Sequence, residues 1–255
     1  RYDYISRYGK KLQAIPKPLR KAAALAMETV SSQSIPYLKH KRNFHSRYDK
    51  FKNLLHDPST AELLKNLNHV FNKKEIDSLF NHDVQALSTA HSSTELQEEF
   101  YDPLSYMMAV DYQTYMVDDI LQKVDRATMS VSLEGREPFL DQYIIEWAAQ
   151  LPSHYKYHQG EKKYILKEIV HQYLPKEMME RPKMGFAIPV ETWLQYELKD
   201  LVRAHLSEES IKTHGLFNEA EVQKLVADFY KGRTEKYLKI WYLLMFQMWY
   251  KKWMQ

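Results

Sequence analysis

Cysteine is absent from the 255 residues, which excludes disulfides and thiolate metal sites and makes a reducing cytoplasm the default compartment. Glycine is scarce as well, 6 residues in all, against a usual frequency of roughly 7%. That scarcity suits a mostly helical chain and argues against a glycine-rich phosphate loop; the main cradle of any nucleotide must then lie elsewhere. No charge dominates. The 36 Lys and Arg and 33 Asp and Glu leave +3, too weak a field to point to nucleic acid or to an acidic membrane surface. HExxH, GxSxG, P-loop and GxGxxG motifs do not occur, and the 11 histidines are scattered, so hydrolase, kinase and metalloprotease readings have no support and no metal ligands are expected. Long hydrophobic runs are missing too. The uncharged stretch Ile240–Tyr250 falls far short of the roughly 20 residues that cross a bilayer. The tail Tyr237–Met254 is therefore expected to be a buried helix that closes a core.

What is present is a sticky, foldable chain: hydrophobic residues make up 44% and aromatics 13%, which excludes persistent disorder. The length fits one large domain or two small ones. Leu19–Val30 is rich in Ala, Leu and Met and reads as a helix; Thr60–Asn68 and Lys73–Asn81 continue in short helical patterns. The basic, aromatic run Tyr37–Phe51 reads as a solvated helix face or loop, because acidic residues follow it. Gln85–Glu99 is polar and reads as a connection.

Further on, Asp118 and Asp119 precede an apolar stripe of Ile120, Val124, Ala127 and Val131, so they are expected at the positive end of a helix that Gly135 terminates. Asp141 is placed as the N-cap of a helix that buries Ile144, Ile145, Ala148 and Leu151. A helix is expected over Glu161–Tyr173, with Ile165, Leu166, Ile169 and Val170 inward. Pro189 suits the first turn of another that carries Trp193, Leu194, Leu198, Leu201 and Val202. No strand alternation stands out. Charged residues gather at helix ends and breaks: Lys123, Asp125 and Arg126 on one helix, Glu134 and Arg136 around Gly135, and Arg181 with Lys183 between Pro182 and Gly185. Taken singly, such groups are caps and ion pairs more often than catalysts.

Their order, however, carries a resemblance. The run Tyr115–Met129, then Ser132–Asp141 (SLEGREPFLD), then Lys163–Lys167 (KYILK), Leu174–Pro175, Arg181–Phe186 (RPKMGF) and Pro189–Trp193 resemble the synthetase domain of the glutamine-dependent asparagine synthetases. The likeness is concentrated in roughly 111–194; both flanks match in being helical, and Arg1-Tyr2 resembles the residues just after that family's ATP loop and acidic segment. The resemblance implies a mainly α chain: the helical C-terminal portion of an α/β, adenine-nucleotide α-hydrolase-like synthetase domain. Its parts would be a helical lead-in over 1–110, a motif-bearing core over 111–194 and C-terminal helices over 195–255.

It also implies a two-step ligase. ATP activates the side-chain carboxylate of aspartate as an acyl-adenylate with loss of pyrophosphate, and glutamine-derived ammonia displaces AMP. Cations and Mg²⁺ would face the charge that develops on the phosphates. Lys183 matches the family lysine given that role, and Glu134 the glutamate expected to face the adenylate and to orient or deprotonate the attacking amine. Arg136 is expected to hold a substrate or AMP oxygen or, preferably, Glu134; Asp125, Arg126 and Lys163 match further binding positions. ATP and Mg²⁺ would be held mainly by an N-terminal part with the phosphate loop and acidic segment, and the glutaminase cysteine would also lie outside this piece. The piece by itself is therefore expected to be inactive and to bind ATP weakly. The implied setting is cytoplasmic, with no nucleic acid and no membrane, and a homodimer is left open. Glu137 stands where the family mostly has an apolar residue, so another carboxylate acceptor, as in the related β-lactam synthetases, is the alternative ligase; a non-catalytic helical interaction module is the other.

Overall fold

The computed structural model describes residues 2–30, 32–35, 44–85, 87–180 and 188–254. Among them the architecture is mainly helical, with one two-stranded hairpin. The chain divides into two compact units. The first comprises Arg1–Leu25, Asn53–Leu67 and Ser88–Met184, the second Ala26–Lys52, Asn68–Leu87 and Gly185–Gln255.

The helices of the lead-in are α1 (Tyr2–Gln13), α2 (Lys17–Thr29), α3 (Phe44–His56), α4 (Thr60–Asn68), α5 (Lys73–Leu79) and α6 (Thr94–Glu99). Helix α2 matches the expected Leu19–Val30 within two residues at its start, α4 has the expected bounds, and the polar connection contains α6.

The first unit has its core in the lead-in. Ile5, Leu12, Leu54, Leu55, Leu63, Leu64, Leu96, Leu104, Met107 and Val110 are buried. Gly9 permits a close approach there: a Cβ at this position would meet Leu63 Cδ1 at 3.0 Å, and the leucine side chain would have to give way. Helix α7 (Pro103–Asp111) starts on Asp102, whose carboxylate accepts from the Ser105 N–H at 2.8 Å, with Pro103 at the first helical position where no N–H is needed. Burial pushes the Asp102 carboxyl up, but the hydrogen bonds from Ser153 and Ser105 outweigh it and hold the group below the usual carboxylate range. At the other end of α7 the buried Asp111 accepts a hydrogen bond from the Tyr2 hydroxyl.

The chain does not leave the helix at Asp111. It continues through a ten-residue π-helical stretch, Tyr112–Leu121, into α8 (Gln122–Met129). This corrects the expectation for Asp118 and Asp119. The helix that carries them begins on Asp102, so both acids lie mid-helix, away from any N-terminal dipole. Gly135 does not end the helix either: α8 stops at Met129, and the left-handed residue beyond it is Ser132, at φ 59°. The expected stripe is solvated, with Val124 36% and Val131 74% exposed.

Beyond Asp111 no described residue of the first unit is buried. Helix α9 (Gln142–Gln150) is capped as expected, Asp141 accepting from the Tyr143 and Ile144 N–H groups at 3.0 and 3.4 Å. Its expected buried face is not buried: Ile144 is exposed and Ile145, Ala148 and Leu151 are half-buried. After the short α10 (Ser153–Lys156), strands β1 (Tyr157–His158) and β2 (Glu161–Lys162) pair antiparallel, Tyr157 opposite Lys162 and His158 opposite Glu161. The connecting Gln159 and Gly160 have φ 48° and 93°, the double left-handed pattern that matches hairpin twist. This hairpin replaces the first turn expected of a helix over Glu161–Tyr173, so α11 (Tyr164–Val170) starts late, and Ile169 on it is exposed. Pro175 then leads into α12 (Lys176–Met179).

The second unit closes a continuous core. It includes α5, α13 (Val190–Gln195), α14 (Lys199–His205), α15 (Glu208–Lys212), α16 (Glu219–Tyr230) and α17 (Tyr237–Trp253). Pro189 precedes α13 as its cap, and the helix expected to run on through Val202 is interrupted at Tyr196 and resumes as α14. Leu79, Leu194, Val202, Ile211, Val222, Phe229, Ile240 and Leu244 pack together in the interior. Helix α17 buries Ile240, Leu243, Leu244 and Gln247, the i, i+3, i+4, i+7 stripe of a helix laid on a core, as its sequence led one to expect.

Polar closure accompanies that packing. Phe80 and Phe217 form an antiparallel bridge, and the Asn81 side-chain amide donates to the Gly215 and Phe217 carbonyls at 3.0 and 2.9 Å. His214 Nδ1 accepts the Leu216 N–H at 3.0 Å. The side-chain amide nitrogen of the buried Gln247 lies 2.7 Å from the other ring nitrogen, Nε2. Asp228 binds Lys236 and Arg233. The Lys236 hydrogen bond holds the Asp228 carboxyl below its ordinary range, although burial works the other way.

Candidate functional site

The geometry of the motif region follows from how the chain leaves α8. The Leu133 N–H returns to the Thr128 carbonyl at 3.0 Å, the Ser132 N–H bonds Met129 O at 3.0 Å, and the Thr128 hydroxyl donates to Val124 O at 3.0 Å. Gly135 lies against this last turn; a Cβ there would be 3.7 Å from Thr128 Oγ1. The segment 130–137 thus folds back beside α8, and the turn Pro138–Leu140 redirects it into the Asp141 cap.

Between the helix and the returning segment is an open concavity of about 830 Å³. Val117, Leu121 and Val124 line it from the helix, and Pro138 and Leu140 from the turn; Asp125, Arg136, Glu137 and Asp141 supply its charges. A second hollow of about 390 Å³ lies next to it, lined by Asp118, Asp119, Gln122, Lys123 and Arg126. Gln122 borders both.

Two of the sequence-predicted site residues therefore meet, Asp125 and Arg136, together with Glu137, the departure from the family pattern. Glu134 joins them through Arg136, whose Nη2 and Nε lie 2.9 and 3.1 Å from the same carboxylate oxygen. That pair is well exposed, so its energy is small and its effect is to orient the two groups. Arg126 belongs to the neighbouring hollow. Lys163 lines neither; it is an exposed residue in the left-handed region, φ 58°, at the start of α11. Lys167 of the same motif is bonded to Glu161 at 2.6 Å. Arg181 and Lys183 lie outside the described residues. The side chains of Asp125, Arg126 and Glu137 have no hydrogen-bond or ion-pair partner among the described residues.

Sequence reasoning found one member of the apolar wall, Val124, and missed two. Val117 and Leu121 share a 4, 3 spacing with Val124 that is visible in the sequence, but they lie upstream of the stripe drawn from Ile120. Both belong to the π-helical stretch that precedes Gln122.

Among the described residues no group of three or more His, Asp or Glu is arranged to hold a metal ion. The larger concavity carries more acid than base, an environment that attracts cations and disfavours triphosphate.

Fold and site together define a helical chain whose first unit presents an open, mixed-charge hollow. The profile of the asparagine synthase family matches residues 2–251, and the chain belongs to that family. It is 33% identical over 150 residues to asparagine synthetase [glutamine-hydrolyzing] 1 of Bacillus subtilis (strain 168), a match of 59% of this chain and 23% of that protein. It is 32% identical over 151 residues to the putative asparagine synthetase [glutamine-hydrolyzing] of Mycobacterium bovis, again 59% of this chain and 23% of the relative. A shorter match, 31% over 72 residues, links it to asparagine synthetase [glutamine-hydrolyzing] 3 of Bacillus subtilis, covering 28% of this chain and 12% of that protein. The chain thus spans less than a quarter of the length of these relatives. No solved structure matches it. No helix among the described residues is long and apolar enough to cross a membrane.

Proposed function

We propose that this chain is the C-terminal, helical portion of the synthetase domain of an enzyme that makes asparagine from aspartate, ATP and glutamine-derived ammonia. The observation that carries the reading is the family match over residues 2–251. In the first step an oxygen of the aspartate side-chain carboxylate attacks the α-phosphorus of ATP; a C–O–P linkage forms, and the bond to pyrophosphate breaks. In the second, ammonia attacks the activated carbonyl carbon, loses a proton and expels AMP.

Glu134 takes up the proton of the attacking amine or orients its N–H bonds, and Arg136 holds the Glu134 carboxylate for that task; their ion pair at the rim of the concavity supports this division of labour. Lys183 neutralises charge on the departing pyrophosphate. Asp125, Arg126 and Lys163 complete the binding surface. ATP and Mg²⁺ would be held mainly by the N-terminal part that carries the family's phosphate loop and acidic segment. The cysteine-free composition suits a cytoplasmic enzyme.

Lys183→Ala in the full-length protein tests the assignment. Aspartate-dependent pyrophosphate release is expected to fall by at least about a hundredfold, since a cation aimed at developing charge contributes on that order; an unchanged rate removes Lys183 from the chemistry.

One observation favours a second reading, a ligase of the same chemistry with another carboxylate acceptor. It is the Glu137 carboxylate, which lines the larger concavity without a protein partner among the described residues. A panel of carboxylic acids offered to the full-length enzyme decides between them, product from aspartate favouring the first.

A further inference from the structure

We infer that Glu137 determines acceptor specificity: its carboxylate selects an acceptor that carries an ammonium group close to the carboxylate that reacts. This deepens the proposed ligase reading and rests on it. Glu137 begins the turn Pro138–Leu140, where its carbonyl accepts the Leu140 N–H at 2.9 Å while its side chain makes no cap hydrogen bond. The turn therefore fixes the backbone and leaves the carboxylate available to the hollow it lines. Arg136, the one basic residue in that lining, is already committed to Glu134, at 2.9 Å. Asp141, the next acid along, spends an oxygen on the α9 N-terminus. Among these charges Glu137 and Asp125 are the two acids without a protein partner among the described residues, and Val117, Leu121, Pro138 and Leu140 give the hollow apolar walls.

Glu137 is exposed in the open hollow, and an acceptor seated against the apolar walls displaces water from its carboxylate, which then pairs more strongly with a cation and repels an anion more strongly. An α-amino dicarboxylate offers the matching ammonium. A deamino dicarboxylate of the same length offers only C–H there and leaves Glu137 desolvated without a partner, the situation in which sites built for a polar group discriminate best. Since the ammonium takes no part in bond making, its contact is present in ground and transition states alike, and its loss raises KM while kcat is kept.

The test compares aspartate with succinate as acceptors for the full-length enzyme, with pyrophosphate release as the readout, in the wild type and in Glu137→Gln and Glu137→Val. The wild type is expected to prefer aspartate. In both variants that preference in kcat/KM is expected to shrink at least about tenfold, through a higher KM for aspartate and with kcat within a factor of about three. An unchanged preference, or equal losses with both acids, overturns the role of Glu137. A wild type that releases pyrophosphate with neither acid instead overturns the aspartate-ligase reading beneath it. Glu137→Gln preserves shape and decides the matter alone if Glu137→Val does not fold.

Discussion

Helices α9 and α17 have the same average hydrophobicity, and both carry tryptophan, yet they end in opposite circumstances. Helix α17 buries Ile240, Leu243 and Leu244 at 0–3% exposure; α9 leaves Tyr143 at 79%, Ile144 at 41% and Trp147 at 56%. The difference is in what lies opposite. Helix α17 faces α13, α14 and α16 and fills the space between them, whereas α9 belongs to a stretch, 112–180, in which no described residue is buried. Hydrophobicity sets how much a helix gains by being covered, and the presence of a partner decides whether it is.

That contrast can be broken most directly at its two extremes. Phe229→Ala, which empties a fully buried site in the second unit, is expected to cost about 3–5 kcal/mol in urea unfolding. Trp147→Ala on α9 is expected to stay within about 0.5 kcal/mol; comparable losses would abolish the distinction between a packed and an uncovered helix. Tyr2→Phe asks the same of a polar anchor, because it strips a hydrogen bond from the buried Asp111, and a loss of about 1–3 kcal/mol is expected. Asp141→Ala, in the exposed motif region, removes only a cap and is expected to cost about 1 kcal/mol, visible as lost helicity or a lower urea midpoint.

Acid probes the second unit through Asp228. The native Asp228 carboxyl lies below its unfolded range, so the unfolded chain binds the extra proton first. The stability it contributes is full above the unfolded pKa and disappears as pH falls through the native one. Asp228→Asn should flatten this acid slope, by at most about 1 kcal/mol for a pair this near the surface. Smallest of all, Ser132→Gly relieves a left-handed serine at the end of α8, for a gain of about 0.5 kcal/mol once the extra freedom of unfolded glycine is set against it; a loss would mean that the serine side chain holds the motif loop.

Local signals were legible where local physics decides. The Thr60–Asn68 helix, the Asp141 cap and the buried stripe of α17 each depend on residues within a turn or two of one another. The candidate site was legible in part, through the order of its charged residues: Glu134 and Arg136 are close in sequence and close in space. Of its apolar wall only Val124 was, since which of several apolar faces lines a hollow depends on the returning segment Pro138–Leu140, several turns away in sequence. The hairpin at Tyr157–Lys162 escaped for another reason: two residues a strand are too few for alternation to show.

By itself the sequence determined the helical character of the chain, the absence of sulfur chemistry and the family to which the motif order belongs, all properties carried by composition and short spacing. Only the tertiary structure decided which of two equally apolar helices is covered, and which unpartnered carboxylate faces the hollow beside Arg136. Those outcomes depend on partners far away along the chain, and burial and charge pairing are properties of the space between elements, where no single segment holds the information.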